Sequence, residues 1–337
     1  MNGVVNNRSP KCLLRIALLD PSVTSHNTGD QIISEACQGV IEELFPGSFV
    51  VRLTTHEFHL WESHRLANEC DLVFVGGSNL LKSSMLKKNQ WKLSLLDYLF
   101  RRTPSVLLGC GWHYYEQPPR RHTALMLRKV LSPRFYHSVR DGYTKQQLDA
   151  VPIPRSLNTA CVTMWPLTPD HCQRIPTAKA DTVVFTLTAY KPDVAADRAM
   201  IELLCRSYRQ VYLWVQQLGD FEYARSLADD RVRVLPASLA AYTSFLRENH
   251  SDYVGSRLHG GIRALQLGKR SLILSIDNRA AEIARDTDLP VVARTATDAI
   301  DAWIHRAAPT AVRLPTQAID RWKTQFQDWT REREARS

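Results

Sequence analysis

Short apolar runs that alternate with amphipathic stretches are the feature of this sequence that most restricts its fold. In the first half, strands are predicted at residues 13–19, 49–53, 72–75, 105–109 and 136–139. Helical patterns lie between them, for example at residues 31–44 and 93–101. Strands that alternate with helices predict a parallel sheet that is covered by helices on both faces.

The alternation stops in a proline-rich stretch and then resumes. Residues 151–180 carry five prolines and no clear periodicity, which is typical of a connector between domains. Further strands are predicted at residues 182–187, 211–215, 231–234, 253–255, 272–274 and 291–292. We therefore predict an α/β fold of two doubly wound domains that face a cleft, at residues 1–160 and 161–315. One polar amphipathic helix is expected from 316 to about 334, within a C-terminal segment 316–337.

Length and composition agree with two globular domains. The 337 residues exceed the usual size of one hydrophobic core, and 44% of them are hydrophobic, which argues against disorder. The seven cysteines have no C-x-x-C spacing, so we expect reduced thiols, mostly in the core; they are Cys12, Cys37, Cys70, Cys110, Cys161, Cys172 and Cys205. Residues 1–10 lack the apolar block of a signal peptide, and no run is long enough to span a bilayer. We therefore expect a cytoplasmic protein.

Positive charge is concentrated between Lys82 and Arg134. This region has eleven basic residues against Asp97 and Glu116, an excess equal to the net charge of +9 of the whole chain. The basic residues are Lys82, Lys87, Lys88, Lys92, Arg101, Arg102, Arg120, Arg121, Arg128, Lys129 and Arg134. A basic face attracts phosphorylated substrates or an anionic membrane surface, and no nucleic-acid motif accompanies it. We expect no nucleic acid as partner, and peripheral contact with the inner membrane surface; the alternative is a solvated helix face.

Arg257-Leu258-His259-Gly260-Gly261 lies where a predicted strand passes into a predicted helix. The first N–H groups of a helix lack partners within the helix, so this corner can receive an anion. Arg257 can grip a phosphate or carboxylate with two bonds, and the helix start favours a neutral His259 that relays a proton. His259 is expected to be a partly exposed loop residue, and the glycines to let a ligand approach. The alternative is an Arg–Asp pair, a capping histidine and glycines that only turn the chain.

Other polar residues follow the predicted strands of the first half, where ligands of parallel sheets bind. They are Asn27 and Asp30 after the first strand, Gly77 and Ser78 after the third, Trp112, His113 and Glu116 after the fourth, and Arg140 with Asp141 after the fifth. The aromatic residues can stack on a sugar ring or form the rim of a domain interface. Asp30 can instead be a helix N-cap, the glycines a tight turn and Arg140 a structural ion pair.

Five short motifs occur in an order that resembles the polysaccharide pyruvyl transferase family. They are Asn27-Thr28-Gly29-Asp30, Gly76-Gly77-Ser78 with Leu80-Leu81, Gly109-x-Gly111, Ser138-Val139-Arg140-Asp141 with Thr144, and Ser256-Arg257-Leu258-His259-Gly260 leading into Ala264-Leu265-x-Leu267-Gly268. The resemblance implies two Rossmann-like domains similar to GT-B glycosyltransferases. It also implies phosphoenolpyruvate as donor, a sugar hydroxyl pair as acceptor and a pyruvate ketal as product.

The resemblance also distributes the candidate residues over two sides of the cleft. The donor side, in residues 161–315, has Arg257, Leu258, His259, Gly260 and Gly261, and the SVRD motif adds Arg140. The acceptor side, in residues 1–160, has Asn27, Asp30, Gly77, Ser78, Trp112, His113 and Glu116. Where many members of the family carry an Asp-Pro pair, residues 157–165 of this chain do not, which leaves the acceptor undefined.

The chemistry of a ketal adds the expected roles. The donor methylene must be protonated and two sugar hydroxyls must lose protons, which suits His259, with Arg257 and Arg140 stabilising the phosphate. Asp30 or Glu116 is expected to deprotonate the acceptor, so the catalytic set is His259, Arg257 and Asp30. The scheme requires no cofactor and no metal. We also expect a saccharide acceptor that is linked to a lipid diphosphate.

Two other functions are open at this point. A GT-B-type glycosyltransferase would place the diphosphate of a nucleotide sugar at the same helix start, with Glu282 as the carboxylate for the ribose. A non-catalytic saccharide-binding protein would bind its ligand tightly without turnover.

Overall fold

Two parallel sheets organise the computed structural model, which describes residues 13–85, 90–152, 155–227 and 230–335. Cys12, Lys87, Lys88 and Pro154 lie outside the described residues. The predicted α/β architecture is confirmed. The chain passes from one sheet to the other between Asn158 and Thr182; the boundary at residue 160 stays a prediction.

The N-terminal sheet has the strand order β2-β1-β3-β4, and all its strands are parallel. The strands are β1 (Arg15–Asp20), β2 (Phe49–Thr54), β3 (Leu72–Gly76) and β4 (Ser105–Leu108). A parallel pair, β5 (His137–Val139) and β6 (Ser156–Asn158), joins it through a bridge between Cys110 and Val139. The helices of this part are α1 (Thr28–Leu44), α2 (Trp61–Glu69), α3 (Leu95–Phe100), α4 (Arg121–Val130) and α5 (Gly142–Asp149).

The C-terminal sheet has six parallel strands in the order β12-β11-β10-β7-β8-β9. The strands are β7 (Thr182–Thr186), β8 (Gln210–Leu213), β9 (Val232–Val234), β10 (Ser251–Gly255), β11 (Ser271–Ser275) and β12 (Val291–Ala293). The helices are α6 (Pro169–Gln173), α7 (Val194–Ser207), α8 (Leu218–Ser226), α9 (Leu239–Glu248), α10 (Leu258–Gln266), α11 (Asn278–Thr287), α12 (Thr297–His305) and α13 (Thr316–Glu334). The strand order reverses between β7 and β10, so a ligand site is expected beyond the carboxyl ends of these two strands.

Strand burial explains why the apolar runs predict these sheets well. Strands β3, β7 and β10 are buried along their whole length, because helices cover both faces of each sheet. All eleven predicted strands are present, with ends that differ by at most two residues. The proline-rich stretch, in which no strand or helix was predicted, contains β6, the 3-10 helix Val162–Met164 and α6. Segments of three to five residues are too short to show a periodicity.

The predicted C-terminal helix is confirmed as α13, and it packs on the N-terminal sheet. Trp322 and Phe326 are fully buried, and the ring of Phe326 lies 5.2 Å from the ring of Phe74. The helix therefore returns the end of the chain to the first core.

Several composition-based expectations can be compared with the structure. The six cysteines other than Cys12 are free and buried, as predicted. Within the described ranges, no helix has the length and apolar character needed to cross a membrane. The same ranges contain no group of three or more His, Cys, Asp or Glu side chains that could hold a metal ion.

Candidate active site

Three helices begin around one pocket in the cleft between the two sheets. Their N-cap residues are Asn27 for α1, Arg257 for α10 and Asp277 for α11. The pocket is lined by Asn27, Tyr190, Gln216, Ser256, Arg257, Leu258, His259, Leu274, Ile276, Asp277, Arg279 and Ala280. Tyr190 follows β7 and Arg257 follows β10, so the pocket lies where the strand order reverses. The positive ends of the helix dipoles favour an anion here.

The start of α1 docks directly on the C-terminal domain. The backbone N–H of Thr28 donates to the carbonyl of Gln216 (3.0 Å), and Nε2 of Gln216 donates to Oδ1 of Asn27 (2.9 Å). A Cβ on Gly29 would lie 2.4 Å from Nε2 of Gln216, so a side chain there would displace this amide from Asn27. The Asn-Thr-Gly-Asp motif thus joins the two domains and holds Asp30 at the cleft.

Asp30 is a buried carboxyl group in the first turn of α1. It accepts a hydrogen bond from Oγ of Ser25 at 2.6 Å. The N-cap is Asn27, which accepts from the N–H of Gly29, so the alternative that Asp30 caps the helix is excluded. Burial raises the pKa of Asp30 to about 6, against the opposing pull of the positive charges of Arg279 and Arg257. Asp30 can therefore exchange a proton close to neutral pH.

Arg257 is buried and fixed by a carboxylate. Its Nε donates to Oδ2 of Asp220 at 2.9 Å, and its Nη2 donates to the other oxygen of the same carboxylate. The guanidinium also lies 5.3 Å from the ring centre of Tyr190. The Arg–Asp pair that the sequence left open as an alternative is therefore observed, between Arg257 and Asp220. Among the described residues, Nη1 of Arg257 has no hydrogen-bond partner, so this nitrogen remains able to meet a ligand.

His259 differs from the expectation in its exposure. It lies in the first turn of α10 and is only 8% exposed, whereas a partly exposed loop residue was predicted. Burial, aided by the charge of Arg140, lowers the pKa of His259 to about 3. This low pKa agrees with the expected neutral imidazole, which stays neutral throughout the physiological range. Its Nε2 lies 3.8 Å from Sγ of Cys161.

Arg140 reaches the same region from the N-terminal domain. Its side chain is 2% exposed, and its Nε donates to Oδ2 of Asp141 at 3.1 Å, so the structural ion pair is present. Its Nη2 is also buried but has no hydrogen-bond partner among the described residues. A Cβ on Gly111 would lie 2.2 Å from Cζ of Arg140, so the Gly109-x-Gly111 motif makes room for this guanidinium. A buried donor without a partner is costly, so a ligand that accepts a hydrogen bond from this nitrogen would be stabilised.

Arg279 is, with Arg257, one of the two arginines that line the pocket, and the sequence reasoning missed it. Its Nε lies 3.0 and 2.9 Å from the two carboxylate oxygens of Asp277, and its Nη2 contacts the hydroxyl of Tyr190. Burial and the nearby charge of Arg140 lower the pKa of Arg279 to about 10. Arg279 follows β11 at the start of a helix, the position that drew attention to Arg257 after β10. The sequence could therefore have identified Arg279 by this shared position after a strand.

The two glycines of the corner have a packing role. A Cβ on Gly261 would lie 2.4 Å from Cγ1 of Ile273, and one on Gly260 would lie 3.1 Å from the hydroxyl of Tyr253. Packing against β10 and β11 therefore excludes a side chain at Gly261 and crowds one at Gly260, while the approach of a ligand to their backbone stays a prediction. Leu258 belongs to the C-terminal core and also lines the pocket.

Two of the expected acceptor residues have structural roles instead. Trp112 is fully buried in the N-terminal core, so it cannot offer a ring face to a sugar. The carboxylate of Glu116 accepts a hydrogen bond from the N–H of Ser83 at 2.7 Å and so fixes a loop. The neighbouring Tyr114 and Tyr115 are 48% and 60% exposed and carry the aromatic surface that the sequence indicated.

The other acceptor candidates lie at the edge of the N-terminal sheet. Gly77 has φ +54°, and a Cβ there would lie 2.2 Å from Ile33, so the tight turn is present. Ser78 has φ +60°, which is costly for a serine and is often found at functional sites. Burial, aided by the charges of Lys82 and Arg279, lowers the pKa of His113 to about 4.

Glu282 is engaged in a contact between the domains. It is buried and accepts a hydrogen bond from the hydroxyl of Tyr115 at 2.5 Å. Arg285 of the same helix also contacts its carboxylate. Each carboxylate oxygen of Glu282 therefore already has one partner.

Comparison with solved structures concerns the fold. A Listeria monocytogenes protein assigned as a UDP-N-acetylglucosamine 2-epimerase superposes with a TM-score of 0.53 at 11% identity, over 95% of this chain and 98% of that chain. The UDP-GlcNAc 2-epimerase of Methanocaldococcus jannaschii, in complex with UDP-GlcNAc and UDP, gives 0.52 at 8% identity, over 94% and 98%. These similarities support two Rossmann-like domains of the GT-B type.

The comparison of sequences concerns the family. No curated protein matches this sequence. The model of the polysaccharide pyruvyl transferase family matches residues 27–278, a range that contains all five motifs and most of both sheets. The chain therefore belongs to the polysaccharide pyruvyl transferase family, a family of transferases.

Proposed function

We propose that this protein transfers pyruvate from phosphoenolpyruvate to two hydroxyl groups of a saccharide, forming a ketal and releasing phosphate. The observation that carries the proposal is the buried, unpaired Nη2 of Arg140. The charges of Arg140 and Arg257 both act on Asp277, and the charges of Arg279 and Arg257 both act on Asp30, so the three guanidinium groups share one region. Phosphoenolpyruvate carries a phosphate and a carboxylate. Several guanidinium groups and helix N-termini are a suitable complement to two anionic groups on one small molecule.

The three arginines would act differently. Arg257 and Arg279 are each held by a carboxylate, of Asp220 and Asp277, so their positions are fixed before the donor binds. Arg140 has the unpaired nitrogen and is the strongest candidate for a direct bond to the donor. The first N–H groups of α10, at Leu258, His259 and Gly260, have no acceptor within the helix and add further donors.

Proton transfer is assigned mainly to Asp30. The first sugar oxygen adds to the central carbon of the donor, and the methylene carbon takes a proton to become a methyl group. The second sugar oxygen then bonds to the central carbon as the bond between this carbon and the phosphate oxygen breaks. The proton of the second sugar hydroxyl leaves with the phosphate. Asp30, with a pKa of about 6, can take the proton of a hydroxyl and return it. His259 is too weakly basic for that task but can give a hydrogen bond to the donor.

The acceptor is proposed to lie against the N-terminal domain. Asn27 lines the pocket, while Ser78 and His113 lie at the same edge of that sheet. The exposed rings of Tyr114 and Tyr115 can pack against sugar faces. The scheme needs no cofactor and no metal.

Incubation with phosphoenolpyruvate and a panel of galactosides, glucosides and mannosides tests the proposal. We expect phosphate release with a matching gain of one pyruvyl group on one acceptor. Arg140→Met should abolish both, whereas Arg198→Met, an exposed arginine of α7, should retain them. Donor binding without turnover on any acceptor would favour a binding protein. Consumption of a nucleotide sugar instead would favour a glycosyltransferase.

A further inference from the structure

The N-terminal domain carries an exposed apolar surface. Sixteen large hydrophobic side chains are exposed among the described residues, and eight of them form this surface: Phe58, Leu60, Trp61, Leu95, Tyr98, Leu99, Phe100 and Leu125. They come from the start of α2, from α3 and from α4, and we call them the α2–α4 surface. Trp61, Leu60 and Leu95 are each more than 65% exposed. Exposed apolar groups in such a concentration are typical of an interaction site.

Contacts between the elements make this one surface. The rings of Trp61 and Phe100 lie 4.9 Å apart, and Nδ2 of Asn68 in α2 donates to the carbonyl of Phe100 at 2.8 Å. Helix α3 also contacts α4. On α4, Leu125 is separated by three or four residues from Arg121, Arg128 and Lys129, so these side chains share one face of the helix.

The basic margin of the surface is smaller than the sequence indicates. Arg101 is buried and pairs with Asp97 at 2.7 Å, and Arg134 pairs with Glu332 at 2.6 Å. The exposed cations that remain beside the apolar groups are Arg102, Arg120, Arg121, Arg128 and Lys129. The exposed acids nearby are Glu57, Glu62 and Glu69, and the last two pair with Arg65. Helix α4 itself has no acidic residue, so its exposed face is strongly positive.

We propose that the α2–α4 surface binds the interface of an anionic lipid bilayer. Tryptophan, tyrosine and leucine would enter the boundary between headgroups and acyl chains, while the α4 cations meet lipid phosphates. The charge favours this partner over a second copy of the chain, because both copies would carry a net charge of +9. The loop after β2 leaves the sheet at its carboxyl edge, as do the loops after β1 and β3 that carry Asn27 and Ser78. The bilayer would therefore lie beside the cleft, and a lipid-linked sugar could reach it, an extension that rests on the proposed function.

Vesicle sedimentation without any substrate tests the surface separately from pyruvyl transfer. We expect binding to phosphatidylcholine vesicles that contain phosphatidylglycerol, and little binding to pure phosphatidylcholine. Removing two cations by Arg128→Gln with Lys129→Gln should weaken partitioning about 30-fold, from about 1 kcal/mol per charge. Trp61→Ser with Leu99→Ser should weaken it at least about tenfold, because buried apolar area is lost.

Matched substitutions elsewhere are the controls. Val194→Ser and the pair Arg198→Gln with Arg247→Gln alter exposed positions of the C-terminal domain and should retain wild-type binding. Equal binding by the surface variants and the controls would overturn the proposal, as would no binding of the wild type to anionic vesicles. A dimer in solution that only Trp61→Ser with Leu99→Ser dissociates would instead assign the surface to a second copy. Unchanged thermal midpoints would establish that the variants are folded.

Discussion

Replacing Asp30 by asparagine should stabilise the protein above neutral pH while abolishing its activity. The pKa of Asp30 is raised from 3.8 to about 6 by burial. A raised carboxyl pKa means that the contribution of Asp30 to stability is fully present below about pH 4. This contribution is lost as the pH rises through about 6. A difference of about two pKa units corresponds to about 3 kcal/mol, and Asp30 is only 7% exposed, so solvent screening is small.

The cost of the buried charge is best measured as the difference between the wild type and the Asp30→Asn variant. Asparagine keeps the shape of the side chain and its acceptor for Oγ of Ser25, but it carries no charge. Urea unfolding at pH 8 should therefore give the variant a free energy of unfolding higher by up to about 3 kcal/mol. This advantage should shrink between pH 6 and pH 4.

A matched control separates Asp30 from general effects of charge. Asp320→Asn, at an exposed position of α13, should change the free energy of unfolding little at either pH. If Asp30→Asn has the same effect at pH 4 and pH 8, or is less stable than the wild type at pH 8, the raised pKa is refuted.

Three further predictions concern the pocket and the membrane. Gly111→Ala should remove most of the stabilisation by phosphoenolpyruvate, because a methyl group there displaces Arg140. Thermal midpoints with and without phosphoenolpyruvate measure this stabilisation. Gly39→Ala is the control, because a methyl group at Gly39 would meet open space. Between pH 5 and 8, kcat/KM should have one acidic limb near pH 6, since Asp30 must ionise and His259 stays neutral; a limb that persists unchanged in an active Asp30 variant would contradict this. Activity on a lipid-linked acceptor should fall steeply with added salt, and activity on a short neutral glycoside much less; equal sensitivity would reduce the basic surface to a role in solubility.

Local patterns were sufficient for most of the architecture. A buried parallel strand such as β3 is a continuous apolar run, and it is short and well separated from the next run along the chain. The strand β6 was missed because its three residues, which closely follow two prolines, are too few to show a period.

The chemistry of the candidate site was less accessible, because it depends on contacts between distant parts of the chain. Arg257 is held by Asp220, which lies 37 residues earlier, and no local pattern relates the two. The exposure of His259 was misjudged for the same reason: its surroundings include Cys161 and Arg140 from other segments. Likewise, the sequence drew attention to Gly261, but only the position of Ile273 identifies its role.

The order of ligand affinities tests the account most directly. Isothermal titration of the wild type with phosphoenolpyruvate, UDP and ADP should give the tightest binding for phosphoenolpyruvate, because only this ligand presents a phosphate and a carboxylate together to the arginines. Arg140→Met should lose that binding, and Arg198→Met should keep it. Tight binding of UDP or ADP, with no detectable binding of phosphoenolpyruvate, would contradict pyruvyl transfer as the activity of this site.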